Sequence, residues 1–239
     1  MVPRRRPPLE MADPLPAPHW FVTPRPLARV VVALLAVDIL LALGVLLGVR
    51  TFLERVWFGL AGYFIREGTL SQHAGQIEVA RLAQALVWIA VAMVFLRWMH
   101  RAYRNLPALG AERLGYSPRW AVGAFLVPVL NLIHPYQVVR EVWRESQLDP
   151  AAVRSAVPLG LVRWWWILFV ASVLADPVIG RLAEAATGRL DAGGRLELLV
   201  LGEMAEIAAA VLAIVIVTRV TRLQEESFVR HYGVAGDGR

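Results

Sequence analysis

The chain has 239 residues, 57% of them hydrophobic, with a mean hydropathy of +0.53 and a formal charge of +6. Soluble domains average roughly 45–50% apolar even when glycine is counted, so this is the composition of a membrane protein. All 25 basic residues are arginine and cysteine is absent, which excludes Schiff-base and P-loop lysine chemistry, thiolate catalysis, disulfides and cysteine metal sites.

A pI near 10.6 raises the question of nucleic acid. The arginines, however, lie in short runs between apolar stretches, with no basic soluble domain to carry a nucleic-acid footprint. Anionic lipid headgroups are the expected partner, and no nucleic acid is expected.

Residues 1–26 hold eight of the fifteen prolines and the run Arg4-Arg5-Arg6, the pattern of a disordered cytoplasmic tail. The apolar segment behind them is too long for a cleavable signal peptide and has no small-residue cleavage site. Residues 28–49 are long enough to cross the roughly 30 Å hydrocarbon core. Their fourteen Leu, Ile and Val residues contribute roughly −4 to −8 kcal/mol to insertion, against about +3 for Asp38. Gly44 and Gly48 form a small-xxx-small pair suited to close helix approach.

Residues 50–66 place Leu53, Val56, Trp57, Leu60 and Phe64 at helical spacing opposite Arg50, Glu54 and Arg55. That pattern predicts an amphipathic helix lying on the membrane. A second span is expected at about 79–99.

The third apolar stretch, 120–135, decides the topology. Only fourteen residues run from Trp120 to Ile133; Pro128 interrupts them, and Asn131, His134 and Pro135 follow. This length and these prolines suit a re-entrant segment buried against protein. A second short amphipathic helix is read over 136–146, a further span over about 159–178, and the last over about 198–217. The segment 221–239 reads as a cytoplasmic tail into which the last helix continues.

Arginine placement separates the two topologies. If 120–135 crosses fully, thirteen loop arginines face eleven; if it returns, eighteen lie on one side against six. The orientation rule expects the second pattern, which also gathers Trp98, Trp120, Trp143 and Trp164–Trp166 at one interface as an aromatic belt. The expected fold is therefore all-α, a polytopic transmembrane bundle forming a single domain over 27–220. It has four full spans, a short proline-broken re-entrant segment, interfacial amphipathic helices and both termini cytoplasmic. A short, tilted fifth span is the other reading of 120–135.

The stretch 95–146 carries Arg101-Ala102-Tyr103-Arg104-Asn105-Leu106, Ser117-Pro118 and Trp120-Ala121-Val122-Gly123. It continues with Val127-Pro128, Asn131-Leu132, Pro135-Tyr136-Gln137, Arg140-Glu141 and Trp143-Arg144. In these residues it resembles the bacterial multi-pass membrane family known as domain of unknown function 4328. The likeness is strongest over those fifty residues and extends over about 79–217. It implies a membrane fold, and brings no activity, cofactor or catalytic residue with it.

Ionisable groups inside spans are candidates for function because each costs about 2.5–3.5 kcal/mol near the bilayer centre. Asp38 is half-way through the first span. Glu203 and Glu206 share a face of the last, whose eleven Leu, Ile and Val residues offset two ionised glutamates only barely, roughly −3 to −7 against +5 to +7 kcal/mol. Arg81 is the expected partner on depth, with Gln84 beside it. Asp38, Arg81, Gln84, Glu203 and Glu206 read either as a packing cluster or as a proton or cation path. No inverted repeat supports the path.

The second candidate face is the hairpin with Arg97, Arg101, Arg104, Pro128, Asn131, His134, Pro135, Gln137, Arg140 and Arg144. Asn131 and His134 either satisfy backbone groups freed by the prolines or line a site for an anionic headgroup. His100 and His134 fall near one interface, which does not suit haem held across a bundle. No hydrolase, zinc-protease, dinucleotide or P-loop signature occurs. The expected protein is therefore a non-enzymatic accessory or scaffold component of the bacterial inner membrane, without metal or cofactor. It would contact anionic lipid, a membrane-protein partner or further copies of itself. The alternative is a small proton or cation transporter or channel using Asp38, Glu203 and Glu206.

Overall fold

The computed structural model describes residues 21–60, 69–111, 114–123, 125, 127, 130–146, 160–175, 180–182, 185 and 192–233. Most of the expected N-terminal tail, Pro128, positions 61–66 of the expected amphipathic segment, 176–178 of the expected third full span and 234–239 lie outside them. Among the described residues there is no strand. The helices are α1 (Arg25–Leu60), α2 (Thr69–Asn105), α3 (Trp120–Gly123), α4 (His134–Glu145), α5 (Gly160–Leu174) and α6 (Ala192–Tyr232), with 3-10 turns at Leu106–Leu109 and Leu130–Leu132.

Three of these helices are long and apolar enough to cross a membrane, within Arg25–Glu54, Gly75–Leu109 and Leu196–Tyr232. The 15 residues of α5 span about 22 Å at 1.5 Å per residue, short of the hydrocarbon thickness on their own.

The start and end signals of these helices are local. At the start of α1 the Thr23 hydroxyl oxygen accepts the Arg25 N–H at 3.2 Å, and Pro26 falls in the first turn, where its missing N–H has no intrahelical partner to lose. Gly110 ends the turn after α2 at φ +96°, in the left-handed region that glycine enters without strain. There the Gly110 and Ala111 N–H groups return to Pro107 and Leu106 carbonyls at 3.2 and 3.1 Å, satisfying carbonyls that the helix end leaves open.

One expectation is corrected in α1. A separate amphipathic helix was expected from residue 50, yet α1 runs unbroken to Leu60. No proline interrupts it, and Arg50 Nε donates to Glu54 Oε1 at 2.9 Å one turn ahead, a pair that favours continuing the helix. The change in amphipathic pattern at Arg50 does not break the backbone.

α1, α2, α5 and α6 alternate in direction. Val22, beside the start of α1, bonds Asn105 at the end of α2, and Gly48 meets Ile77 near the other end. Trp98 of α2 reaches Thr221 of α6, while Gln84 reaches Glu203, so these two helices run parallel. α5 opposes both: Trp165 packs on Phe95, Trp88 on Phe169, and Ala175 against Gly202. Of the expected small-residue pair, Gly48 is a close approach, where an added Cβ would sit 3.1 Å from Ile77; Gly44 faces open space.

Val31 and Leu35 of α1 point into the core with Met99, Ala102, Val217 and Val220, and Ala42, Val45 and Val49 are buried further along α1. Leu40, Leu43 and Leu47 of α1 and Leu82, Leu86, Ile89 and Met93 of α2 point outward, exposed. Soluble monomers rarely expose apolar stripes of that extent, whereas lipid accepts them.

Both described ends of the chain lie at one end of the bundle. Phe21 stacks on Phe228 with ring centroids 3.9 Å apart, and Glu225 bonds both Thr23 and Arg25. The stretch 120–135 contains no long helix among its described residues, and its two ends meet. His134 lies edge-on to Tyr116 at 4.5 Å and to Trp120 at 6.4 Å. The Tyr116 hydroxyl donates to Gln137 Oε1 at 2.6 Å. The neck is tied to α2 as well. The Tyr103 hydroxyl donates to Glu141 Oε2 at 2.9 Å and accepts the Tyr116 N–H at 3.0 Å, and Gly115 N–H donates to Glu141 Oε1 at 2.6 Å.

Candidate functional site

The polar residues expected inside the bundle converge on one level. Asp38 comes from α1, Gln84 from α2, and Glu203 and Glu206 from successive turns of α6. Gln84 Nε2 donates to Glu203 Oε2 at 3.0 Å and to Glu206 Oε2 at 3.1 Å, so one neutral amide bridges two carboxylates. Arg81 does not take that role. It is exposed, one turn before Gln84, and forms no ion pair among the described residues; its charge reaches the glutamates only at longer range. Depth along the helix is the same for both residues to within a turn, and rotation about the helix axis chooses Gln84.

Asp38 is 3% exposed. Its Oδ1 is buried and has no hydrogen-bond partner among the described residues, a costly arrangement for a carboxyl group held in an apolar interior. Asp38 and Glu206 both border a cavity of about 290 Å³ among α1, α2, α5 and α6, which Asn131 and Phe125 also line. The cavity wall is aromatic. Phe169 stacks on Trp166 at 5.2 Å, on Trp165 at 6.2 Å and on Trp88 at 6.5 Å, and Phe95 packs on Trp165 at 6.1 Å. No three His, Asp or Glu side chains among the described residues are grouped to hold a metal ion.

The basic residues occupy the end of the bundle where the chain ends meet. Arg97, Arg101 and Arg104 follow one face of α2, close enough for their charges to repel, and Arg140 and Arg144 lie one turn apart on α4. Arg97, Arg104, Arg140 and Arg144 are exposed and Arg101 half-exposed. None of the five forms an ion pair among the described residues.

Within the hairpin, Pro128 lies outside the described residues. Pro135 is buried in the first turn of α4, the position proline tolerates best. His134 is buried, with an Nε2 that has no partner among the described residues, so this nitrogen satisfies no freed backbone group. Trp166 takes that part instead, its Nε1–H donating to the Leu132 carbonyl at 2.9 Å. His100 Nδ1 pairs with the Pro118 carbonyl at 2.9 Å.

The aromatic belt is only partly a belt. Trp120 and Trp164 are about half exposed, but Trp98, Trp143 and Trp165 are core residues. Each sits on the inward stripe of its helix, and Trp98 Nε1–H is satisfied by the Thr221 hydroxyl at 3.0 Å, so burial there costs no open donor.

A neutral network at this end was missed by sequence reasoning. Gln224, fully buried, donates through Nε2 to the Ala102 carbonyl at 2.9 Å and to Ser146 Oγ at 3.1 Å. Asn105 Nδ2 donates to the Val22 carbonyl at 2.9 Å and to Gln224 Oε1 at 3.4 Å. The charged run around Gln224 suggests a solvated face. Its spacing gives the better signal, since Gln224 falls on the same stripe as Val217, Val220 and Phe228.

A family model described as domain of unknown function (DUF4328) matches residues 66–222. The match takes in α2 through most of α6 and leaves α1, with Asp38, outside. No curated protein and no solved structure matches the chain.

Proposed function

The chain belongs to the family of the domain of unknown function 4328, whose description assigns no activity, and from that premise we propose a non-enzymatic component of a bacterial cytoplasmic membrane. Its arginine-rich end contacts anionic lipid headgroups, and through them or beside them a membrane-protein partner or a further copy of the chain. In this reading the spans are about 28–49, 79–99, 159–178 and 198–217, 120–135 is re-entrant, and both termini are cytoplasmic. The meeting of Tyr116 and Trp120 with His134 supports the return of the hairpin, and the eighteen-to-six arginine division supports the orientation.

The observation that carries the proposal is the row Arg97, Arg101 and Arg104 with Arg140 and Arg144, none ion-paired among the described residues. Like charges one turn apart cost a helix a few tenths of a kcal/mol. An anionic leaflet reverses the sign, at about 1 kcal/mol per arginine near the surface. The test is thermal unfolding in nanodiscs of phosphatidylglycerol against phosphatidylcholine. The expected result is a higher Tm in the anionic lipid, and loss of that difference when Arg97, Arg101 and Arg104 are replaced by Gln. Equal Tm values in the two lipids for the unaltered chain would refute lipid contact.

A second reading, favoured by Asp38 and Glu206 bordering one cavity, is a small proton or cation transporter that also uses Glu203. Unchanged flux in proteoliposomes for E203Q/E206Q would remove it.

A further inference from the structure

We propose that the cavity bordered by Asp38 and Glu206 is a binding site for an amphipathic ammonium compound, its aromatic or alkyl body against the tryptophan and phenylalanine wall and its N–H groups on the Asp38 carboxylate. This names a ligand class for the carboxylates of the second reading, and it is tested by binding without flux so that site and transport fail separately.

Three independent features of the cavity point the same way. The space is about 290 Å³, enough for a small organic ion and far more than one water needs. One side is an aromatic surface made by Trp88, Phe95, Trp165, Trp166 and Phe169, and aromatic faces attract cations through their negative ring centres. The other side presents two acidic groups. Of these, Glu206 already accepts from Gln84, whereas Asp38 keeps a buried Oδ1 with no donor among the described residues although the residue is 3% exposed.

Asp38 borders the cavity, and a buried carboxylate with an oxygen left without a donor gains from a cation placed beside it. Arg81, the nearest arginine by depth, is exposed and supplies no competing bond. A neutral acyl chain fits the aromatic wall but leaves Asp38 as it is; an anion meets repulsion from Asp38, Glu203 and Glu206, which already act on one another. An ammonium ion with an apolar body satisfies both sides of the cavity.

The experiment is calorimetric titration of the full chain in phosphatidylcholine nanodiscs, which carry no net lipid charge, with 2-phenylethylammonium. 2-Phenylethanol serves as the uncharged comparison, and empty nanodiscs correct for partitioning. Saturable binding of the ammonium is expected, at least tenfold tighter than the alcohol. D38N should weaken it by about tenfold or more, as loss of one partner of a buried charge pair does. A210F, which fills the cavity from the buried Ala210 and leaves both carboxyl groups, should abolish it. If D38N does not fold, E206Q and A210F carry the same test. Equal affinity for ammonium and alcohol, or unweakened ammonium binding in a folded D38N or A210F, would overturn the proposal.

Discussion

The bundle buries polar side chains at two levels, and the two levels are built on opposite terms. At the end where the chain ends meet, Asn105, Gln224, Ser146, Thr221 and Trp98 are neutral, and each finds a partner. Deeper between the helices, one amide bridges Glu203 and Glu206, Asp38 lies within their electrostatic reach, and an Asp38 oxygen is left open among the described residues. A satisfied neutral network rigidifies what it joins. A partly satisfied acidic one costs stability. The difference suits packing at the first level and the proposed ligand site at the second.

Substitutions that treat the two levels alike sharpen the contrast or remove it. The largest effect is expected from Gln224→Leu, which deletes bonds to Ala102, Ser146 and Asn105 at once. It should lower stability by about 2–3 kcal/mol, the cost of leaving buried polar groups unpaired, measured by denaturant unfolding in detergent. Tyr103→Phe removes the hydroxyl that joins Glu141 to the Tyr116 backbone. A loss of about 1–2 kcal/mol is expected, together with faster hydrogen exchange at the Tyr116 amide and little change at α6.

Asp38→Asn should behave in the opposite sense to Gln224→Leu. Removing an ionisable group from mid-bundle should leave stability unchanged or raise it, by up to about 1 kcal/mol, since buried charges are rarely stabilising. A loss as large as that for Gln224→Leu would erase the distinction between the two levels. The smallest effect belongs to Glu225→Gln, which weakens a pairing with an exposed Arg25. It should cost about 0.5 kcal/mol and less in high salt, followed as Tm against sodium chloride.

The three long apolar helices were legible because insertion depends on the length and apolarity of a run, both one-dimensional properties. The gathering of Asp38, Glu203 and Glu206 was legible from depth alone, since alternating helices bring equal depths together. Rotation was not. Whether Arg81 or Gln84 faced the glutamates, and whether Trp98 and Trp143 faced lipid or core, turned on packing between helices that no single segment encodes. The continuation of α1 past Arg50 was hidden because a change of polarity resembles a change of element, although nothing there stops a helix. That 120–135 holds no long helix among its described residues was legible in the shortness of the run. The clasp of Tyr116, Trp120 and His134 required partners eighteen residues apart or fewer to be matched across a segment without periodicity.

The chain's lack of cysteine makes single-cysteine labelling the direct test of whether 120–135 returns to the side it left. Arg119→Cys and Arg140→Cys flank the segment at exposed positions. With a membrane-impermeant maleimide, both should label in inside-out vesicles and neither in intact spheroplasts. Labelling of the two from opposite sides of the membrane would contradict the return, and with it the shared basic end.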